Sequence, residues 1–256
     1  MRFLNILALY LSLLTIACQT NPKYGPPVVS PTAIEKDFTQ WWTYYLNEIN
    51  LAKSNFKSLD ETGIPIEKSR LLEQLSTGNY IPIELNMPKG ELYYQLFELS
   101  PEADPSIAKT ISSQALKELK YYDQEGEPFP EFTFTDLNNQ TYTSEDTQDK
   151  ILVIKTWFIG CHACIAEFPE LNQFVKQQEG RTDILFLSLA TDPPGKLTAF
   201  LEKKPLAYAT IGDQKSFLAQ LGVYEYPTHF IVGRDGKIKK IVNTAHQLFD
   251  LLEPML

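Results

Sequence analysis

The reactive side chains of this sequence lie close together in one short segment. Cys161 and Cys164 are separated by two residues and follow an apolar run that ends at Trp157. The run at residues 151–154 predicts a buried strand, and residues 165–174 predict an amphipathic helix. Cys161 would then lie at a helix N-terminus, where unpaired N–H groups and the helix dipole stabilise a thiolate. This arrangement indicates thiol–disulfide exchange.

The cysteine count favours the same chemistry. The chain has three cysteines, and Cys18 ends an N-terminal apolar stretch far from the other two. No cysteine is left for a structural disulfide or for a four-cysteine zinc site. The spacing alone leaves open a pair that packs or that donates two ligands to a metal. We expect no metal, and no cofactor beyond a redox-active disulfide between Cys161 and Cys164.

Residues 1–17 predict an export signal of the lipoprotein type. Arg2 precedes an apolar stretch that is shorter than the roughly 20 residues of a membrane span. The stretch resembles a bacterial lipoprotein signal, in which cleavage leaves Cys18 as a lipidated N-terminus, although Leu14 lies one position further from the cysteine than is usual. The alternative is an ordinary secretory signal that is cleaved elsewhere. Both predict the cell envelope, facing the periplasm, and a lipid on Cys18 would attach the protein to a membrane.

Composition and net charge limit the kinds of partner and the number of domains that the chain can have. Residues 18–31 form a proline-rich tether with little apolar material, which would hold the folded part away from the membrane. A chain of 256 residues with 43% hydrophobic content can form one large domain or two smaller ones. The net charge of −9 argues against a nucleic-acid partner, which would need a basic surface.

Residues 32–122 predict a mainly helical accessory domain. Apolar residues recur at three- and four-residue spacing between residues 34 and 49, as in an amphipathic helix. Further helices are predicted at residues 67–75, 92–99 and 107–121. The region carries no reactive group of residues, and we expect it to position partners.

Beyond a linker at residues 123–128, the pattern changes to alternating strands and helices. A short hairpin is predicted at residues 132–142, and strands follow the cysteine helix at residues 184–189, 207–211, 227–232 and 237–242. Such an order makes a mixed sheet covered by helices on both faces. The predicted fold is therefore an α/β domain over residues 123–256, preceded by the helical domain.

From about residue 128 onward, the sequence resembles the TlpA/ResA-type thioredoxin-like family. Trp157 stands four residues before the first cysteine, a Glu-Phe-Pro segment begins at Glu167, and Tyr-Pro-Thr at residues 226–228 opens a strand before a hairpin. The resemblance implies an exported thiol–disulfide oxidoreductase that exchanges disulfides with protein thiols of the cell envelope. It implies the reducing direction, and a membrane or thioredoxin-like electron donor. Cys161 would attack and Cys164 would resolve the mixed disulfide.

The resemblance also implies the support of the site. The Tyr226–Pro227 peptide is expected to be cis, which places Pro227 beside Cys161. The proline ring would then pack at the disulfide, and the neighbouring backbone could pair with a substrate strand. The alternative is a trans proline that starts an edge strand.

Three further residues, Lys155, Glu167 and His162, are candidates to tune the reactivity of the two cysteines. Lys155 stands where thioredoxins place a buried acid, and Glu167 matches a glutamate near the cysteines of the ResA branch. Our hypothesis is that the two meet beneath the disulfide, with Glu167 handling the proton of Cys164. The alternative is a lysine that reaches solvent and a first-turn helix acid. His162 either stabilises the thiolate as an imidazolium or is a solvated side chain.

Two other functions are alternatives to thiol–disulfide exchange. A peroxiredoxin would need threonine and proline where the chain has Phe158 and Ile154, so peroxidase chemistry is disfavoured. A copper chaperone could use Cys161, Cys164 and His229, because thiolates with imidazole suit copper.

Overall fold

The computed structural model describes residues 23–53, 55–88 and 91–256. The predicted signal at residues 1–17 and the lipidation site Cys18 lie outside these residues. Within the described part of the chain, no helix has the length and apolar character needed to cross a membrane.

The N-terminal region combines helices with a small sheet. Its elements are α1 (Pro31–Ile34), α2 (Phe38–Glu48), β1 (Lys57–Leu59), β2 (Pro65–Ile66), α3 (Lys68–Ser76), β3 (Tyr80–Glu84), β4 (Tyr93–Glu98) and α4 (Pro105–Gln124). The strands lie in the order β2-β1-β4-β3, with β1 parallel to β4 and the other pairs antiparallel. Helices hold most of the regular structure here, as predicted, but the sheet was not foreseen.

The helix predicted at residues 92–99 was wrong, because this segment is strand β4. Its apolar residues satisfied a helical spacing, but Tyr94 and Leu96 alternate toward the core beneath α2 and α3, while Tyr93 packs on the opposite face. The Tyr94 hydroxyl donates to the Glu48 carbonyl at 3.1 Å. β4 lies between two partner strands, so the sheet's hydrogen bonds and burial on both faces decide its conformation.

The C-terminal region forms the predicted mixed α/β fold. Its elements are β5 (Thr133–Thr135), β6 (Thr141–Thr143), β7 (Ile151–Trp157), α5 (His162–Ala166), α6 (Phe168–Gln177), β8 (Ile184–Ala190), α7 (Pro194–Leu201), β9 (Ala209–Ile211), α8 (Lys215–Gln220), β10 (Thr228–Val232), β11 (Ile238–Val242) and α9 (Ala245–Leu252). The main sheet has the order β11-β10-β7-β8-β9. β7, β8 and β9 are parallel, and β10 is antiparallel to both of its neighbours.

Successive residues of β7 point to opposite faces of the sheet, and both faces are covered. Val153 packs with residues of α6 and α9 on one face, while Ile154 packs with α8 and with Tyr121 of α4 on the other. All seven residues of β7 are buried, as expected of a central strand in a sheet that is covered on both faces. The end of this strand delivers the chain to the two cysteines.

Helix α4 belongs to both regions. Ile107 and Ile111 lie in the N-terminal core, whereas Tyr121 lies in the core of the main sheet. The helix runs through the predicted boundary at residue 123, and the Gly126 N–H donates to the Ile238 carbonyl at 2.8 Å. The predicted linker is thus held against strand β11.

Candidate active site

Cys161 and Cys164 lie at the start of α5 and form a disulfide, with their Cα atoms 5.3 Å apart. Cys161 is the N-cap residue of this helix, and its Sγ accepts a hydrogen bond from the Cys164 N–H at 3.2 Å. Cys161 is 7% exposed and Cys164 is fully buried. Cys161 is therefore the sulfur that a partner can reach.

Pro169 explains why the cysteine helix ends early. Proline has no N–H and cannot continue the hydrogen-bond ladder of a helix interior. Accordingly, α5 ends at Ala166 and α6 begins at Phe168, with Glu167 at the junction of the two. The break places the Glu167 side chain against the sheet, where it accepts three hydrogen bonds.

Trp157 anchors the strand end behind the disulfide. Its ring is fully buried, packs edge-on against Phe168 at 5.1 Å between ring centres, and donates through Nε1 to the Ser188 hydroxyl at 3.3 Å. The turn after it is held by Asp192, whose Oδ2 accepts from the Ile159 N–H at 2.7 Å. We had not predicted a role for Asp192. One sequence feature could have indicated this role: Asp192 follows strand β8 by two residues and so lies at the same sheet edge as Cys161.

The Tyr226–Pro227 peptide is cis, as the resemblance implies. Tyr226 packs against the apolar cluster that contains both cysteines, and its ring lies edge-on to Phe158 at 5.4 Å between centres. The Thr228 N–H donates to the Thr156 hydroxyl of the neighbouring strand at 3.0 Å. The structure thus brings the proline segment to the disulfide side of the sheet.

Asn243 holds the backbone of that segment and was missed by the sequence interpretation. Its Nδ2 donates to the Pro227 carbonyl, the Thr228 hydroxyl and the Tyr121 hydroxyl, each at 3.1 Å. These partners are 15 or more residues away in the chain. Only the fold reveals the contact.

Lys155 and His229 converge on Glu167 inside the protein. Lys155 Nζ lies 2.6 Å from Glu167 Oε2, His229 Nε2 lies 3.1 Å from the same oxygen, and the Ala245 N–H donates to Oε1 at 2.9 Å. Lys155 and His229 face each other across β7 and β10, and both are fully buried. The alternative of a lysine reaching solvent was therefore wrong.

The charge states of this group follow from burial and hydrogen bonding. Burial lowers the pKa of Lys155, and the Glu167 carboxylate opposes that effect. Burial alone would raise the pKa of Glu167, but the hydrogen bond from His229 and the charge of Lys155 outweigh it, so this pKa is lowered. Burial also lowers the pKa of His229. These directions favour the carboxylate form of Glu167, whose Oε2 faces both Lys155 Nζ and His229 Nε2.

Phe168 links the buried charges to the cysteines. Lys155 Nζ lies 5.9 Å from the centre of its ring, and the same ring packs in one apolar cluster with Cys164. The ion pair and the buried sulfur therefore share a neighbour. His162, in contrast, lies exposed in the first turn of α5, apart from the buried group.

The copper site that we kept as an alternative is not assembled. His229 is fully buried and hydrogen bonded to Glu167. In residues 23–53, 55–88 and 91–256, no three histidine, cysteine, aspartate or glutamate side chains are grouped to hold a metal ion. The alternative ligand set of Cys161, Cys164 and His229 was wrong, because strand β10 turns the imidazole toward Glu167, between α6 and α9.

Comparison with known proteins agrees with the site. Residues 124–247 match the model of the Redoxin family. The thiol-disulfide oxidoreductase ResA of Geobacillus thermodenitrificans is 28% identical over 120 residues, which cover 46% of this chain and 68% of that protein. The thioredoxin-like protein YneN of Bacillus subtilis is 24% identical over 120 residues, covering 46% of this chain and 71% of that protein.

Solved structures include a thiol-disulfide oxidoreductase from Bacteroides fragilis, with 17% identity, a TM-score of 0.47, and coverage of 51% of this chain and all of the other. The family match, the sequence relatives and the Cys161–Cys164 disulfide concern the same half of the chain. Residues 124–247 thus form a Redoxin domain, and the chain is an oxidoreductase that is similar to the TlpA/ResA-type thioredoxin-like thiol–disulfide oxidoreductases.

Proposed function

We propose that the protein reduces disulfides of protein partners in the cell envelope. The observation that carries the proposal is the asymmetry of the two sulfurs, because Cys161 is accessible at a helix N-cap and Cys164 is fully buried. The accessible sulfur can meet a large partner. The buried sulfur can react only with its neighbour.

The proposed reaction begins with the reduced protein. The Cys161 thiolate attacks one sulfur of a partner disulfide; that bond breaks, and the other partner sulfur leaves as a thiolate and takes up a proton. Cys164 then loses its proton and attacks Cys161 Sγ, so the mixed disulfide breaks and the second partner sulfur leaves. The partner gains two electrons, and the protein is left with the Cys161–Cys164 disulfide. A membrane or thioredoxin-like electron donor would reduce that disulfide again.

The helix start favours the first step. The Cys164 N–H points at Cys161 Sγ at 3.2 Å, and a backbone N–H at a helix start stabilises negative charge on its acceptor. A thiolate at Cys161 would receive the same hydrogen bond. The nucleophile would then form without a separate base beside it.

The buried charges favour the second step. Cys164 must lose a proton in a place without solvent, and Glu167 follows it by three residues. The Glu167 carboxylate is bonded to Lys155, whose Nζ lies 5.9 Å from the centre of the Phe168 ring that packs with Cys164. We propose that Glu167 assists this proton transfer, while Lys155 and His229 hold its carboxylate in place. In the overall reaction the proton leaves with the partner thiol.

The N-terminal features complete the proposal. An export signal at residues 1–17, lipid on Cys18 and a tether to residue 31 would place the catalytic domain on a membrane surface facing the periplasm. The sequence of these segments supports this arrangement. Mass spectrometry of the membrane-bound protein would detect the lipid on Cys18.

A redox titration tests the reducing direction. The protein is equilibrated with glutathione buffers, and the fraction with a free Cys161–Cys164 pair is measured by thiol alkylation. We expect a potential nearer to the roughly −270 mV of thioredoxin than to the roughly −120 mV of the oxidant DsbA. A value near the oxidant would contradict the reducing direction, and Cys161→Ser provides the control for signal from other thiols.

A further inference from the structure

We propose that helix α4 of the N-terminal region holds the loop at residues 222–227, and that Lys117, Lys120 and Tyr121 are positioning residues for partner binding. This loop leads into the cis proline beside the disulfide. The proposal rests on the proposed exchange with protein partners. The contacts on which it depends come from a region that carries no redox chemistry of its own.

Lys120 makes the first attachment, at the start of the loop. Its Nζ donates to the Gly222 carbonyl at 2.8 Å and lies 4.6 Å from the centre of the Tyr224 ring. Gly222 has a φ of +69°, and a Cβ built at this position would lie 2.8 Å from Lys120 Nζ. The left-handed backbone conformation favours glycine here, and a larger residue would also have to displace the Lys120 side chain. The loop and the helix fit each other closely at this point.

Lys117 makes the second attachment, one turn earlier on α4. Its Nζ lies 3.5 Å from a carboxylate oxygen of Glu225, the residue before Tyr226. The Lys117 side chain is 20% exposed, so the protein partly shields its end of the pair from solvent. An isolated exposed ion pair contributes little, but this one acts on the same short loop as Lys120.

Tyr121 makes the third attachment, at the end of the loop. Its hydroxyl accepts from Asn243 Nδ2 at 3.1 Å, and the same amide donates to the Pro227 carbonyl at 3.1 Å. Tyr121 is itself buried against the main sheet. Helix α4 thus reaches both ends of the loop, and Tyr226 lies between them.

The held loop is also the exposed rim of the site. Tyr224 is 76% exposed, and Tyr226 packs beside the cysteines. A loop that is already ordered loses less conformational entropy when a partner binds. Removing the attachments should therefore weaken partner binding and leave the chemistry at Cys161 unchanged.

The test compares the full chain with the double variant Lys117→Met/Lys120→Met. Methionine keeps most of the apolar length and removes the charge. The matched control is Lys109→Met, because Lys109 is exposed on the same helix, about 12 Å from Lys117 at the usual helical rise. The conservative variant is Lys120→Arg with Lys117 unchanged, because arginine keeps a hydrogen-bond donor and a cation over the Tyr224 ring.

The kinetic readout compares reduction of a protein disulfide, that of oxidised insulin, with reduction of a small disulfide. We expect the double variant to raise KM for the protein substrate about threefold to tenfold, with kcat, small-disulfide turnover and the potential of the cysteine pair unchanged. The Lys120→Arg variant should keep KM close to that of the parent protein. An unchanged KM would overturn the proposal, and so would an equal loss of small-disulfide turnover, since that indicates general damage to the site.

Hydrogen exchange separates this proposal from the proposed function. Amides of residues 222–226 should exchange faster in the double variant than in the parent and in Lys109→Met, whatever reaction the protein catalyses. Unchanged exchange there would overturn the positioning role. If exchange rises but the parent protein reduces no protein disulfide, the loop attachment stands and the proposed function fails.

Discussion

Lys155 and Glu167 meet inside the protein, with Nζ 2.6 Å from Oε2, although one lies on the central strand and the other at the break between two helices. The lysine is fully buried. A charge in such a place requires its partner, because an unpaired buried ion is far more costly than a paired one. The position that thioredoxins give to a buried acid is here occupied by the cationic member of a pair.

The first prediction concerns the coupling of this pair. Glu167→Gln or Lys155→Met alone should lower the free energy of unfolding by about 3–5 kcal/mol, because each leaves one buried charge without its counter-ion. The double variant should lose about 0.5–3 kcal/mol less than the sum of the single losses. Urea unfolding of the four proteins measures the coupling. Strictly additive losses would show that the two groups act independently.

The second prediction concerns the proton of Cys164. Glu167→Gln should slow resolution of the mixed disulfide by about tenfold or more and change its dependence on pH, since the amide cannot accept the proton. Stopped-flow measurements at a temperature below the unfolding transition of the variant give this rate for the folded protein. Glu179→Gln is the control, because Glu179 is exposed two residues beyond the end of α6. An unchanged rate–pH profile would leave Glu167 with a purely structural role.

The third prediction concerns His229 and pH. Burial lowers the pKa of His229 in the folded protein below its ordinary value of 6.5. As the pH falls below 6.5, this histidine therefore takes up a proton in the unfolded chain but not yet in the folded one. Stability should therefore decline through this window by up to about 1.4 kcal/mol per pH unit, until the folded pKa is reached. His229→Gln should remove that component, whereas His162→Gln, at an exposed position, should retain it. Equal slopes for all three proteins would refute the assignment.

Local patterns predicted the catalytic half well. The apolar run before Cys161 predicts a strand, which the structure has as β7, but the single helix predicted at residues 165–174 was wrong in one respect, because the structure divides it at Glu167 into α5 and α6. The cis peptide before Pro227 was expected from the family motif. These features depend on neighbours in sequence, which a pattern can show.

Contacts between distant residues were harder to predict. The Asn243 contacts and the attachment of Lys120 to Gly222 join residues up to 122 positions apart, and no periodicity marks them. His229 was suitable as a metal ligand by residue type, but the register of β10 against β7 places it opposite Lys155. Strand β4 was mistaken for a helix because apolar residues on both faces of a strand also satisfy a helical spacing. Tertiary packing decided each of these cases.

Trapping of mixed disulfides tests the central claim most directly. Both variants, Cys161→Ser and Cys164→Ser, carry Cys18→Ser so that an adduct can arise only from the cysteine pair. With a protein disulfide as substrate, Cys164→Ser should accumulate a covalent adduct that dithiothreitol releases, because the attacking sulfur remains and the resolving sulfur is gone. Cys161→Ser should form none, since Cys164 is fully buried. Adducts on Cys161→Ser but not on Cys164→Ser would contradict the assignment of the two sulfurs and the mechanism built on it.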